Sequence, residues 1–125
     1  MDDDFLISVR QFISQNIESL AQLEALLLLL RETDRWWTAE DLAKALYISS
    51  EMSAVLLLDL ARRGFATAGN PGYRYQAKDE ATHHTIQELA RIYQERRVAV
   101  ITEIYSKPLN KVQTFADAFR LRKEE

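Results

Sequence analysis

Apolar residues recur at three- and four-residue intervals along most of the chain, and the places where that rhythm stops divide it into elements. Phe5, Val9, Phe12, Ile13, Ile17 and Leu20 keep helical spacing behind Asp2-Asp3-Asp4, whose carboxylates suit the positive end of a helix dipole. An N-terminal helix is expected over 1–18. Ser19-Leu20-Ala21-Gln22 fits a capping box, hydroxyl and amide three residues apart, and starts a second helix running to about Arg31. Leu26 to Leu30 is apolar on every side, which predicts cover by several neighbours. Thr33-Asp34-Arg35 ends the pattern. Trp36-Trp37 predicts a short strand, in which adjacent side chains face opposite ways, so at most one of the two indoles enters the core.

From Thr38 the rhythm resumes in two short runs. Thr38-Ala39-Glu40-Asp41 offers a capping hydroxyl and first-turn carboxylates, and Leu42, Ala43, Leu46 and Tyr47 give a helix of two to three turns. Ile48-Ser49-Ser50 supplies an apolar anchor and two more capping hydroxyls. A second helix then begins near Ser50, with Met52, Val55, Leu56, Leu58, Leu60 and Ala61 carrying it to Arg62-Arg63-Gly64. Basic residues suit that end of the dipole, and glycine can take the left-handed cap. The pair is a helix-turn-helix. Phe65 to Ala68 can be extended, Gly69-Asn70-Pro71-Gly72 is a dense turn signal, and Tyr73-Arg74-Tyr75 alternates, which together predict a β-hairpin. Tyr73 and Tyr75 share one face, bracing the hairpin, and Arg74 points the other way.

Glu80 to Ser106 contains no glycine or proline, and Ile86, Leu89, Ala90, Tyr93, Val100, Ile101 and Ile104 recur with helical spacing, so one helix of about 39 Å is expected. Its apolar stripe exceeds what a small unit can cover. A homodimer is therefore expected through Ile86, Tyr93, Val100 and Ile104, with help from the N- and C-terminal helices; the alternative is a monomer whose first and last helices fold back to cover Tyr93, Val100 and Ile104. Lys107-Pro108 ends that helix, and a last one carries Val112, Phe115, Ala116 and Phe119 on one face, packed on the long helix.

Composition narrows the function classes. The chain has 125 residues, enough for one domain, 1–125, with added helices. It has no cysteine, which removes disulfides and thiolate metal sites and fits a cytoplasmic location. Met1-Asp2-Asp3-Asp4 is acidic where a signal peptide would be basic, and the leucine run is far too short for a membrane span. His83 and His84 have no third ligand at a suitable spacing, so no metal is expected. The chain has only three glycines and no phosphate-binding loop, and no serine-histidine or paired-carboxylate arrangement argues for an enzyme or a cofactor. Net charge is −3. Between Ser19 and Tyr75, Arg31, Arg35, Lys44, Arg62, Arg63 and Arg74 are slightly outnumbered by Glu24, Glu32, Asp34, Glu40, Asp41, Glu51 and Asp59.

The order helix, short strand, helix, turn, helix, hairpin over Ser19 to Tyr75 resembles the winged helix-turn-helix family, as in MarR- and PadR-like bacterial transcriptional regulators. The segments Ser106-Lys107-Pro108 and Phe115 to Glu124 are similar to a tail on small bacterial proteins grouped with such regulators. The resemblance implies a winged core over 19–75; with the N-terminal helix over 1–18 and the helical extension over 79–125, expected from the spacing to dimerise, the fold is mainly α. It also implies double-stranded DNA as the partner, the second helix of the pair entering the major groove. Ser50, Ser53 and Ala54 would then approach the groove, with Arg62, Arg63 and Arg74 on phosphates. The alternative is a protein-protein interaction module that keeps the fold without binding DNA, suggested by the net charge and by Glu51 near the start of that helix.

Overall fold

The computed structural model describes residues 2–106, with side chains from Ile7 onward. The predicted last helix lies outside the described residues. The elements run α1 (Asp2–Asn16), α2 (Leu20–Arg31), α3 (Ala39–Leu46), α4 (Ser50–Arg62), β1 (Ala66–Ala68), β2 (Tyr73–Tyr75), α5 (Glu80–Glu95) and α6 (Arg97–Tyr105).

Hydroxyl and carboxylate caps fix where most of the helices begin. Thr38 Oγ1 accepts from the Asp41 N–H at 3.1 Å while Asp41 Oδ2 accepts from the Thr38 N–H at 3.3 Å, a reciprocal capping box on α3. Ser49 Oγ caps α4 by accepting from the Met52 N–H at 3.0 Å, and Asp79 Oδ1 caps α5 by accepting from the Thr82 N–H at 2.7 Å. Accepting those bonds holds the Asp79 carboxyl below its usual range. Ser19 Oγ likewise accepts from the Gln22 N–H. Here the expected box is altered: the Gln22 amide oxygen accepts from the N–H of Glu18, one residue before the cap. Gly64, at φ +88°, follows α4 in the left-handed conformation expected of it.

The core is built on α2. Leu23, Leu26 and Leu29 are fully buried and meet Leu42 of α3, Leu57 and Leu60 of α4, and Ile86 and Leu89 of α5. Burying one such leucine contributes about 2 kcal/mol, so α2 is the main store of hydrophobic stabilisation. The apolar run Leu26 to Leu30 thus has its neighbours on several sides.

β1 and β2 form an antiparallel hairpin with Ala66 opposite Tyr75, Thr67 opposite Arg74 and Ala68 opposite Tyr73. The expected third strand is reduced to a bridge, in which the Trp37 N–H donates to Tyr73 O at 2.6 Å and the Tyr73 N–H donates to Trp37 O at 2.9 Å. Gly72 makes that approach possible, since a Cβ there would collide with the Trp37 carbonyl. As the alternation requires, Trp37 is buried and Trp36 is half-exposed.

The expected single helix over Glu80 to Ser106 is two helices. The chain leaves helical angles at Arg96, φ −137° and ψ 59°, and resumes at Arg97. No glycine or proline marks the break; tertiary packing supplies the reason. The turn lays Val100 and Ile104 against α1, beside Val9 and Ile13, with Arg10 paired to Glu103 at 3.3 Å. A straight helix would have carried both residues off the body. Burial of two apolar side chains outweighs the lost helical continuity. No helix of the described residues is long and apolar enough to cross a membrane.

Candidate nucleic-acid interface

α3 and α4 pack as a pair whose second helix buries one stripe and presents the other. Ser53, Leu56, Leu57 and Leu60 form the inward stripe. Ser50, Glu51, Met52, Ala54, Val55, Leu58 and Arg62 face outward. Of the residues expected at the groove, Ser50 and Ala54 are therefore on the exposed side, and Ser53 is not. Ser53 is fully buried and its hydroxyl has no hydrogen-bond partner, so it cannot reach a ligand. Sequence periodicity favours both stripes about equally, because Met52, Val55 and Leu58 are as apolar as the leucines behind them. The distinguishing signal is the position of α4 against α2, which is not local.

The basic residues differ in how far each is committed. Arg63 is only 22% exposed and its Nε donates to Asp59 Oδ2 at 2.8 Å, while a second guanidinium nitrogen reaches Glu18 at 3.2 Å. Burial disfavours its charge, but the bonds and charges of Asp59 and Glu18 prevail and the guanidinium holds its proton above the ordinary range. The Gln22 Nε2 group completes the network, donating to Asp59 Oδ2 and to the Asn16 carbonyl, both at 2.9 Å. Arg63, expected on phosphate, thus fastens the end of α4 to the α1–α2 junction, its charge already shared between two carboxylates. Arg62, one residue earlier, is exposed with no ion pair among the described residues. Arg74 lies over the Trp36 ring at 4.6 Å on the outer side of the wing. Arg35 covers the Trp37 ring at 3.7 Å and pairs with Glu32 and Asp41.

The outer face of α4 is apolar to a degree that the sequence did not reveal. Met52 is 48%, Val55 62% and Leu58 41% exposed, and just ahead of the helix Tyr47, held at φ +59°, is 94% exposed. Glu51 stands at the start of this face and Arg62 at its end.

The stripe expected to pair two copies is instead covered within the chain. Ile86, Val100 and Ile104 are buried, α1 lying on both α5 and α6. One copy covers the stripe because the helix is broken at Arg96 and α1 folds back over both halves. Tyr93 is half-buried, donates its hydroxyl hydrogen to Glu24 at 3.1 Å and is overlaid by Arg97. It lines a cavity of about 740 Å³ between α2, the end of α3 and α5, with Leu27, Leu30 and Leu46 in its wall. His83 is likewise a structural group: its Nδ1 shares a 2.7 Å hydrogen bond with the Tyr75 hydroxyl, tying the wing to α5.

A helix-turn-helix followed by a two-stranded wing, framed by helices before and after, is a winged-helix fold. Solved structures agree. MepR, described as a transcription regulator of the Staphylococcus aureus multidrug efflux pump MepA, superposes with a TM-score of 0.54 at 16% identity, covering 99% of this chain and 93% of that one. A point mutant of the S. aureus protein gives 0.52 at 15%, covering 98% and 91%. At such identities the likeness is one of fold. No protein-family profile matches the chain, and no curated protein does.

Proposed function

We propose that this chain is a winged-helix regulator of transcription that contacts duplex DNA, with α4 as the helix entering the major groove and the β1–β2 wing beside the backbone. The observation that carries the proposal is the arrangement of α3, α4 and wing, which leaves Ser50, Ala54 and Arg62 exposed on one helix and Arg74 half-exposed on the hairpin, over the Trp36 ring. Ser50 and Ala54 are small enough to let the helix approach base edges, and Arg62 and Arg74 can neutralise phosphates. So few cations predict weak binding per copy.

Anisotropy titrations against labelled genomic duplexes at low and moderate salt test this directly. Affinity should fall steeply as salt rises, and Arg74→Ala should weaken all duplexes about equally, because a phosphate contact carries no base information. A second reading is favoured by the apolar outer face of α4 with Glu51 at its start: an interaction module that has kept the fold and meets protein through this helix. Absence of binding to any duplex at low salt decides for the second.

A further inference from the structure

The exposed stripe of α4 has a spacing that is the same from both ends and charges that are opposite at its two ends. Glu51, Val55, Leu58 and Arg62 are separated by four, three and four residues, all four are exposed, and they lie within about 60° of one another around the helix. From one end the stripe reads acid, apolar, apolar, base. Rotated by a two-fold axis through its middle and set antiparallel, it meets itself with Glu51 opposite Arg62 at both ends and Val55 opposite Leu58 in the centre.

We propose that the occupant of this face is a second copy of the chain, seated α4 to α4 in an antiparallel, two-fold pair. The charges are placed for it: the acid and base are about 16 Å apart along the axis, so both ends of the pair make opposite-charge contacts at once. The dipoles of two antiparallel helices also oppose favourably. A parallel arrangement would put Glu51 on Glu51 and Arg62 on Arg62, which selects against it. The apolar centre supplies the affinity and the charges fix the register, as isologous interfaces require. Met52, 48% exposed, flanks the centre and enlarges the apolar area. Pairing by α4 and entry of α4 into a groove exclude one another. That consequence, though not the pairing, rests on the DNA reading above, so self-association would hold the protein in a state that cannot engage duplex.

Sedimentation equilibrium on the full chain tests the pairing without DNA. The weight-average mass should rise with concentration from 14.5 kDa toward twice that value. Glu51→Arg and Arg62→Glu should each weaken association by about tenfold or more, since each puts like charges at both ends. An equimolar mixture of those two variants should associate again, because every contact between unlike copies is then between opposite charges. Val55→Ser, a change at an exposed position that leaves the helix intact, should loosen the pair in the same way. A mass of 14.5 kDa at every concentration overturns the proposal. So does a dimer that neither charge reversal weakens, or a mixture that stays as monomeric as its components.

Discussion

Ser53 shows how much a single side chain can mislead and what it can test. Its place in the helix-turn-helix suggests a polar contact with a ligand, yet it sits at 0% exposure with an unpartnered hydroxyl among Leu56, Leu57 and Leu60. An orphaned buried hydroxyl costs stability, and alanine has the higher helix propensity. Ser53→Ala should raise the urea-unfolding free energy by about 1 kcal/mol and leave duplex affinity unchanged, whereas a loss of binding would return Ser53 to the interface. The helix-starting hydroxyls of Thr38 and Ser49 were legible from sequence because a cap is a local event, fixed by the residue and the next three N–H groups. The burial of Ser53 was not, because it depends on which side of α4 meets α2.

At the scale of elements, the wing is held by two partners of different kinds. One is the backbone exchange between Trp37 and Tyr73; the other is the Tyr75 hydroxyl on His83 of α5. Burial, with a smaller contribution from the charge of Glu80, pushes the Tyr75 phenol from 10.0 up to about 12. A proton held more tightly in the folded state stabilises fully below pH 10 and loses that contribution as pH climbs toward about 12. Stability by urea should therefore decline across that window, and Tyr75→Phe should flatten the decline while lowering stability at neutral pH by the lost hydrogen bond. An identical alkaline slope in the variant would remove Tyr75 from the account. The order of elements from α2 to β2 was readable, since caps, turn residues and alternation are all short-range. The break at Arg96 was not, because nothing in Glu95-Arg96-Arg97 disfavours a helix; the reason lies on α1.

For the whole molecule, the consequence of that break is a closed helical body. Val100 and Ile104 are 3% and 2% exposed in one copy, so the long apolar stripe that argued for a second copy is already covered. Val100→Glu should lower stability by about 3 kcal/mol or more, by burying a carboxylate, and thermal melts at micromolar and at hundredfold higher concentration should show the same loss. A loss that appears only where dimers form would restore the dimer interface to α6. Two copies now have a different place to meet, the outer face of α4, where the apolar residues are exposed rather than sequestered. The fold class was legible in the sequence, whereas the exposure of individual side chains was legible only in part: Ser50, Ala54 and Arg62 are exposed and Arg74 half-exposed, while Ser53 is buried and Arg63 is held by Asp59 and Glu18.

Arg63, Asp59, Glu18 and Gln22 form one shared network across α1, α2 and α4, with Gln22 serving the Asn16 carbonyl, the Glu18 N–H and the Asp59 carboxylate at once. Removing Gln22 leaves the Asn16 carbonyl and the Glu18 N–H without their side-chain partner, whereas Arg63 and Asp59 keep each other. The angle at which α4 is presented is therefore set from behind the helix, at the junction of α1 and α2, and not by the residues on its outer face.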